Sequence, residues 1–155
     1  MKTVLTATIA AATLLTGAAV FAETEHEAQL KARQGQFRIM AINLGILGGM
    51  AKGEIEYNAD LAQAAADTLV AVSTISQAPM WPEGSDNMSI DGTRAQPTIW
   101  EKNDDFLGKW ADLHPAALEL QQAAGSGREA LGPMMAKVGG TCKACHDEHR
   151  APEDQ

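Results

Sequence analysis

The chain has 155 residues, with twenty Asp and Glu against twelve Lys and Arg, for a formal charge of −8. That acidity excludes nucleic acid as a partner, because such binding rests on Lys and Arg meeting phosphates. It suits partners that are cationic or small and neutral, and the length fits one domain.

The first segment reads as a leader. Lys2 precedes an apolar run from Val4 to Phe21 broken only by Thr and Gly, and Ala22 stands at its exit. A basic start, an apolar stretch and a small residue at the cut form a secretory signal. Residues 1–22 are expected to be removed, leaving residues 23–155 as the mature domain, with a charge of −9 once Lys2 is gone. The run is long enough to span a bilayer, but its Ala and Thr content favours cleavage over a retained anchor. Export places the product in the periplasm, with no membrane association after cleavage.

Leu30, Phe37, Met40, Ala41, Leu44 and Leu47 recur at three- and four-residue steps, which predicts an amphipathic helix from about Thr24 to Met50. Gly48, Gly49 and Gly53 punctuate its end. A second, alanine-rich helix is expected from about Ile55 to Ser76, with Leu61, Ala65, Leu69, Val72 and Ile75 on its buried face. From Ala78 to Pro97 the periodicity stops among Pro and Gly, so this is a long crossover loop, with Trp81 and Ile90 as candidates to pin it.

A third helix is expected from Pro97 or Thr98 to about Ala124, with a kink or break near Leu113 ahead of Pro115. Its apolar stripe is Trp100, Phe106, Leu107, Trp110, Leu113, Ala117 and Leu120. Gly125-Ser126-Gly127 makes the next turn. Ser126 and Glu129 have capping-box spacing for a fourth helix, although Pro133 could delay its start to Gly132. Leu131, Met134, Met135, Val138, Cys142 and Cys145 share one face of it. Four helices and no strand pattern give an all-α, antiparallel four-helix bundle.

The fourth helix carries the chemistry. Cys142-Lys143-Ala144-Cys145-His146 is a CxxCH sequence, the c-type haem attachment signature. Each thiol can add across one haem vinyl group, and the imidazole of His146 can then ligate the iron. Three- and four-residue steps put all three side chains on one helix face. A redox-active CxxC normally opens a helix after a βαβ pattern, which is missing here. A zinc site needs three or four ligands, and His149 could complete one only by sharing that face. One covalent haem c per chain follows, and a haem would supply the large apolar body that an Ala-rich core lacks.

The segment Gly139-Gly140-Thr141-Cys142-Lys143-Ala144-Cys145-His146-Asp147 near the C-terminus resembles the cytochrome c′ family, the class II c-type cytochromes. Class I chains carry CxxCH near the start and take a later methionine, and no methionine follows His146. Arg33-Gln34 resembles the family's segment near a haem propionate. Gln96-Pro97-Thr98-Ile99-Trp100 resembles its third-helix entry, and Arg150 its arginine near the proximal histidine. His149 departs from the aromatic residue usual there. The resemblance implies a left-handed bundle, a homodimer through the first two helices, and high-spin iron with five ligands. It places Phe37, four after the arginine, at the open side of the haem.

A phenyl at that position cannot ligate iron or donate a hydrogen bond. Dioxygen needs distal donors, whereas nitric oxide and carbon monoxide bind ferrous haem without them. The expected function is binding of these small diatomic ligands together with one-electron transfer to an unidentified redox partner, without enzymatic turnover. Two alternatives stand beside it. One is a low-spin electron carrier using Met40 as sixth ligand. The other is a haem enzyme consuming nitric oxide or peroxide, for which position 37 offers no acid–base group.

Overall fold

The computed structural model describes residues 26–153, so the expected leader and its cleavage point lie outside them. Helix α1 spans Glu27–Lys52. It stops at Gly53, whose φ of 78° is left-handed and whose N–H reaches the carbonyls of Gly49 and Met50. The N–H groups of Glu54 and Ile55 then bond to Gly49 O at 2.9 and 3.1 Å. A Cβ at Gly49 would meet the Ile55 side chain, with Cδ1 at 2.6 Å, so a larger residue there would have to displace that side chain.

Helix α2 spans Ala59–Ser73 and begins later than the apolar pattern suggests. Asn58 sets the start: its side chain accepts the Leu61 N–H at 2.8 Å. The expected buried face holds at Ala65, Leu69 and Val72 and fails at its two ends. Ala62, Ala65, Ala66, Leu69 and Val72 face inward, while Leu61 and Ile75 are exposed. Ile75 lies beyond the end of the helix at Ser73, and at the other end Ala62 and Ala66 rather than Leu61 turn inward.

A long connection follows, with one 3₁₀ turn at Ala78–Met80. Trp81 does anchor it, packing edge-on against Phe106 with centroids 4.9 Å apart and against Trp100 at 6.2 Å. Ile90 is only half-buried.

The expected third helix is three pieces: α3 at Thr98–Glu101, α4 at Asn103–Ala111 and α5 at Leu113–Ala124. Lys102 leaves helical geometry at φ −125°, ψ 49°, which makes the first break. The second lies just ahead of Leu113, as expected. Pro115 falls in the first turn of α5, where its missing N–H costs nothing. Leu107 is exposed rather than part of the stripe.

Helix α6 spans Arg128–His149 and runs through Pro133 without restarting at Gly132. The capping box does not form either. Gly127, with φ 141°, is the cap, and no side chain satisfies the first turn.

Helix α1 packs on α2 and α6, and α5 packs on the same two, which closes a four-helix ring. Short connections between α1 and α2 and between α5 and α6 make these pairs antiparallel. The ring encloses Leu47, Met50, Leu69, Leu120, Leu131 and Val138, all fully buried among alanines. Each such side chain contributes roughly 1.5–3 kcal/mol on burial. A second, smaller cluster of Ala95, Ile99 and Phe106, flanked by Trp81, Trp100 and Cys145, sits beside it. Among the described residues there is no strand, only one antiparallel bridge between Ala95 and Arg150.

Candidate functional site: a cavity at the CxxCH helix

Between the two clusters opens a cavity of about 580 Å³, inside the ~300–1,000 Å³ range of ligand sites. Cys142, Cys145 and His146 line it from α6, Phe37 and Met40 from α1, and Trp110 from α4. The expected residues Arg33, Gln34 and Arg150 line it as well. The structure thus gathers every site residue read from the sequence around one space.

Both thiols are half-buried and unbridged. Burial pushes Cys142 up from its ordinary pKa and Cys145 up to about 11. Thiol–disulfide exchange needs the opposite, a stabilised thiolate near a helix N-terminus. These cysteines lie in the last third of α6. His146 is exposed along the cavity. Partial desolvation, then Arg150 and Arg94, lower its pKa, which favours the neutral imidazole that ligates metals.

The end of α6 is held by the segment that opens α3. Thr98 donates its hydroxyl to Glu148 O at 2.8 Å, and Gln96 N–H donates to His149 O at 3.0 Å. Two carbonyls left over at the helix terminus are thereby satisfied. This gives a physical role to Gln96-Pro97-Thr98, which the sequence marked only by likeness.

His149 is not near an exposed helix end, as its position in the chain suggests; it is only 2% exposed. Its Nδ1 lies 3.0 Å from Thr98 Oγ1, and its Nε2 donates to Asp105 Oδ2 at 3.0 Å. Phe106 meets its ring edge-on at 5.6 Å. With both nitrogens engaged, His149 does not complete a zinc set with the cysteines. No cluster of three or more metal-binding side chains exists among the described residues.

Arg33 is 2% exposed and ties α1 to the crossover. It donates to Ser85 Oγ at 2.9 Å and to Ser85 O at 3.1 Å, and its guanidinium lies 4.5 Å above the Trp81 ring. A guanidinium has five donors, so others stay available. Gln34 donates to Gly92 O at 2.8 Å. Phe37 is 38% exposed and meets Trp110 edge-on at 6.1 Å. Met40 is 6% exposed and belongs to the main core although it touches the cavity. His114 bonds Ser73 away from the site at 2.8 Å.

Sequence reasoning missed Arg94, Lys109 and Trp110 as cavity residues, and Ser85 as the partner that holds Arg33. Trp110 appeared only as part of an apolar stripe, yet its Nε1 is buried with no hydrogen-bond partner. The other three lie on loops or polar faces, where no short-range pattern marks them. An apolar space with two thiols and an imidazole on one wall and arginines about it suits a haem. The macrocycle is apolar, the propionates need cations, and the unsatisfied indole N–H is a polar atom such a group could meet.

The family profile described as Cytochrome C′ matches residues 28–150. Cytochrome c′ of Cereibacter sphaeroides is 39% identical over 150 residues, covering 97% of this chain and 98% of that one. Cytochrome c-554 of the same species is 39% identical over 124 residues, covering 80% and 93%. A solved cytochrome c′ from Rhodobacter sphaeroides superposes with a TM-score of 0.79 at 37% identity, over 83% of this chain and 98% of its own. The cavity and its CxxCH wall are therefore those of a haem c protein, and the chain belongs to the cytochrome c′ family.

Proposed function

We propose that this chain is a periplasmic haem protein with high-spin, five-coordinate iron that binds nitric oxide, and carbon monoxide likewise, and carries one electron. Haem supplies, when bound, a redox-active iron with an open coordination position. Cys142 and Cys145 hold it covalently and His146 serves as the proximal ligand. Arg33 and Gln34 face its carboxylates, and Arg150 stands beside the proximal His146. Phe37 walls the open side.

The observation that carries this reading is Phe37 lining, from α1, the same cavity that the CxxCH triad lines from α6. A phenyl excludes a protein ligand and offers no donor, which favours diatomics that need none. A related cytochrome c′ from Alcaligenes xylosoxidans, 27% identical with a TM-score of 0.70 over 82% of this chain, has been solved as the nitric oxide complex of a point mutant. An acid–base role at the iron lacks a candidate: the described residues lining the cavity include no carboxylate, and His149 is engaged by Thr98 and Asp105. This favours binding and electron transfer over enzymatic turnover.

The visible and resonance Raman spectra of the holoprotein, with and without nitric oxide, test this. High-spin features and a new band with nitric oxide are expected. A low-spin spectrum unmoved by the gas would instead assign Met40 as sixth ligand.

The reading includes a homodimer through α1 and α2. Ile39 and Ile42 on α1 and Leu61 on α2 are 45%, 64% and 45% exposed. A relative 29% identical with a TM-score of 0.74 is known for ligand-controlled dimer dissociation. Sedimentation of the holoprotein with and without carbon monoxide measures the assembly. The periplasmic assignment rests on the leader sequence. No helix of the described residues is long and apolar enough to cross a membrane.

A further inference from the structure

Charge is distributed unevenly between this cavity and the rest of the molecule. Five of the twelve Lys and Arg line the cavity, namely Arg33, Arg38, Arg94, Lys109 and Arg150, while none of the described acids does. Three carboxylates lie just outside. Asp105 pairs with Lys109, Glu153 is 2.7 Å from Arg94 and 3.9 Å from Arg150, and Asp147, beside His146, pairs with Lys143. With Asp147 set against Lys143, counting the other two acids and the two propionates of a haem leaves one cation in excess. The whole chain, by contrast, carries −8. Arg38 stands out: it is exposed and pairs with no carboxylate among the described residues.

We propose that the mouth of this cavity is the docking face for an acidic partner protein, which presents carboxylates to Arg38, Arg94 and Arg150. The proposal rests on the electron-carrier half of the reading above and is independent of gas binding. Charges act within a Debye length of about 8 Å at physiological salt. The local excess of cations therefore decides orientation at contact, where the distant acids are screened. A partner of the opposite kind, basic, would be drawn to the other faces and away from the haem edge.

The test is a titration of ¹⁵N-labelled holoprotein with an unlabelled flavodoxin, as an acidic electron-transfer protein, and with hen lysozyme as a basic one. Flavodoxin is expected to shift signals of Arg38, Thr93, Arg94 and Arg150, and added salt is expected to weaken its binding. Lysozyme is expected to shift residues elsewhere. Arg38→Glu should weaken the flavodoxin contact by about three- to tenfold, in line with the weight of rim charges. Lys137→Glu changes the net charge equally, on a residue that pairs with Glu119 away from the cavity, and should leave that contact unchanged. The proposal is overturned if both variants weaken binding equally, which would make net charge the cause. It is overturned too if lysozyme is the protein that perturbs the mouth, or if flavodoxin shifts nothing there. Binding of a small anion such as ferrocyanide at the mouth without any flavodoxin contact would also overturn it, reducing the face to an ion site.

Discussion

The two clusters of this bundle are held together by different means. The larger, enclosed by α1, α2, α5 and α6, is leucine, methionine and alanine, and its stability comes from apolar burial at close helix spacing. The smaller, around Ile99 and Phe106, is an aromatic layer laced with polar ties: Thr98 to Glu148, His149 to Asp105, Arg33 to Ser85, and Trp100 Nε1 donating to Trp81 O at 3.0 Å. The first end can be built from any volume-filling apolar set. The second needs particular side chains, because directional bonds keep the walls apart around a space that must remain open. Stability and function are thus segregated along one helix, α6, which contributes Leu131 and Val138 to the first end and the CxxCH triad to the second.

The most severe way to break this contrast is to replace Cys142 and Cys145 together by alanine. Covalent haem should disappear entirely, read by the absence of colour after acid–acetone extraction. Hydrogen exchange should then loosen α3, α4 and the end of α6 more than α2 and α5. Equal loosening at both ends would dissolve the distinction. Next comes Leu120→Ala, which deletes a fully buried side chain of the larger cluster. It should cost about 2–5 kcal/mol in denaturant unfolding while leaving the haem spectrum unchanged.

Thr98→Val probes the polar end with little change of volume. It removes the donor to Glu148 O and the partner of His149 Nδ1. A loss of about 1–3 kcal/mol is expected for groups left unsatisfied. It should fall on the α6 terminus, seen as faster exchange of the amides of Glu148, His149 and Arg150.

The smallest effect is one of pH. Lys109 first, then His149, hold the Asp105 carboxyl below its usual range. A depressed folded value means that its contribution is present above the unfolded pKa of about 3.9 and is lost as pH falls below that through the folded value. Wild type and Asp105→Asn should therefore differ at neutral pH and converge in acid. A constant difference across that window would remove the carboxylate from the polar end's account.

Much of this was legible before the fold was known. The CxxCH triad, the apolar face of α6, the length of the crossover and the break ahead of Pro115 are local patterns of spacing or composition. Where pattern and structure part, a more distant partner decided or a local signal was outweighed. At the start of α2 the buried positions are Ala62 and Ala66 rather than the larger Leu61. The fourth helix is capped by Gly127 rather than by the box of Ser126 and Glu129.

The sequence alone determined the class of molecule: helices, a covalent haem sequence, and its place near the C-terminus. These are written in steps of three and four residues, which the helix turns directly into faces. Only the tertiary structure decided that Arg33 meets Ser85, that Gln36 donates to Gln77 at 2.9 Å, and that His149 is buried against Asp105. Those pairs lie 52, 41 and 44 residues apart. No periodicity links residues at such separations; their meeting depends on how the helices stack and where the crossover returns.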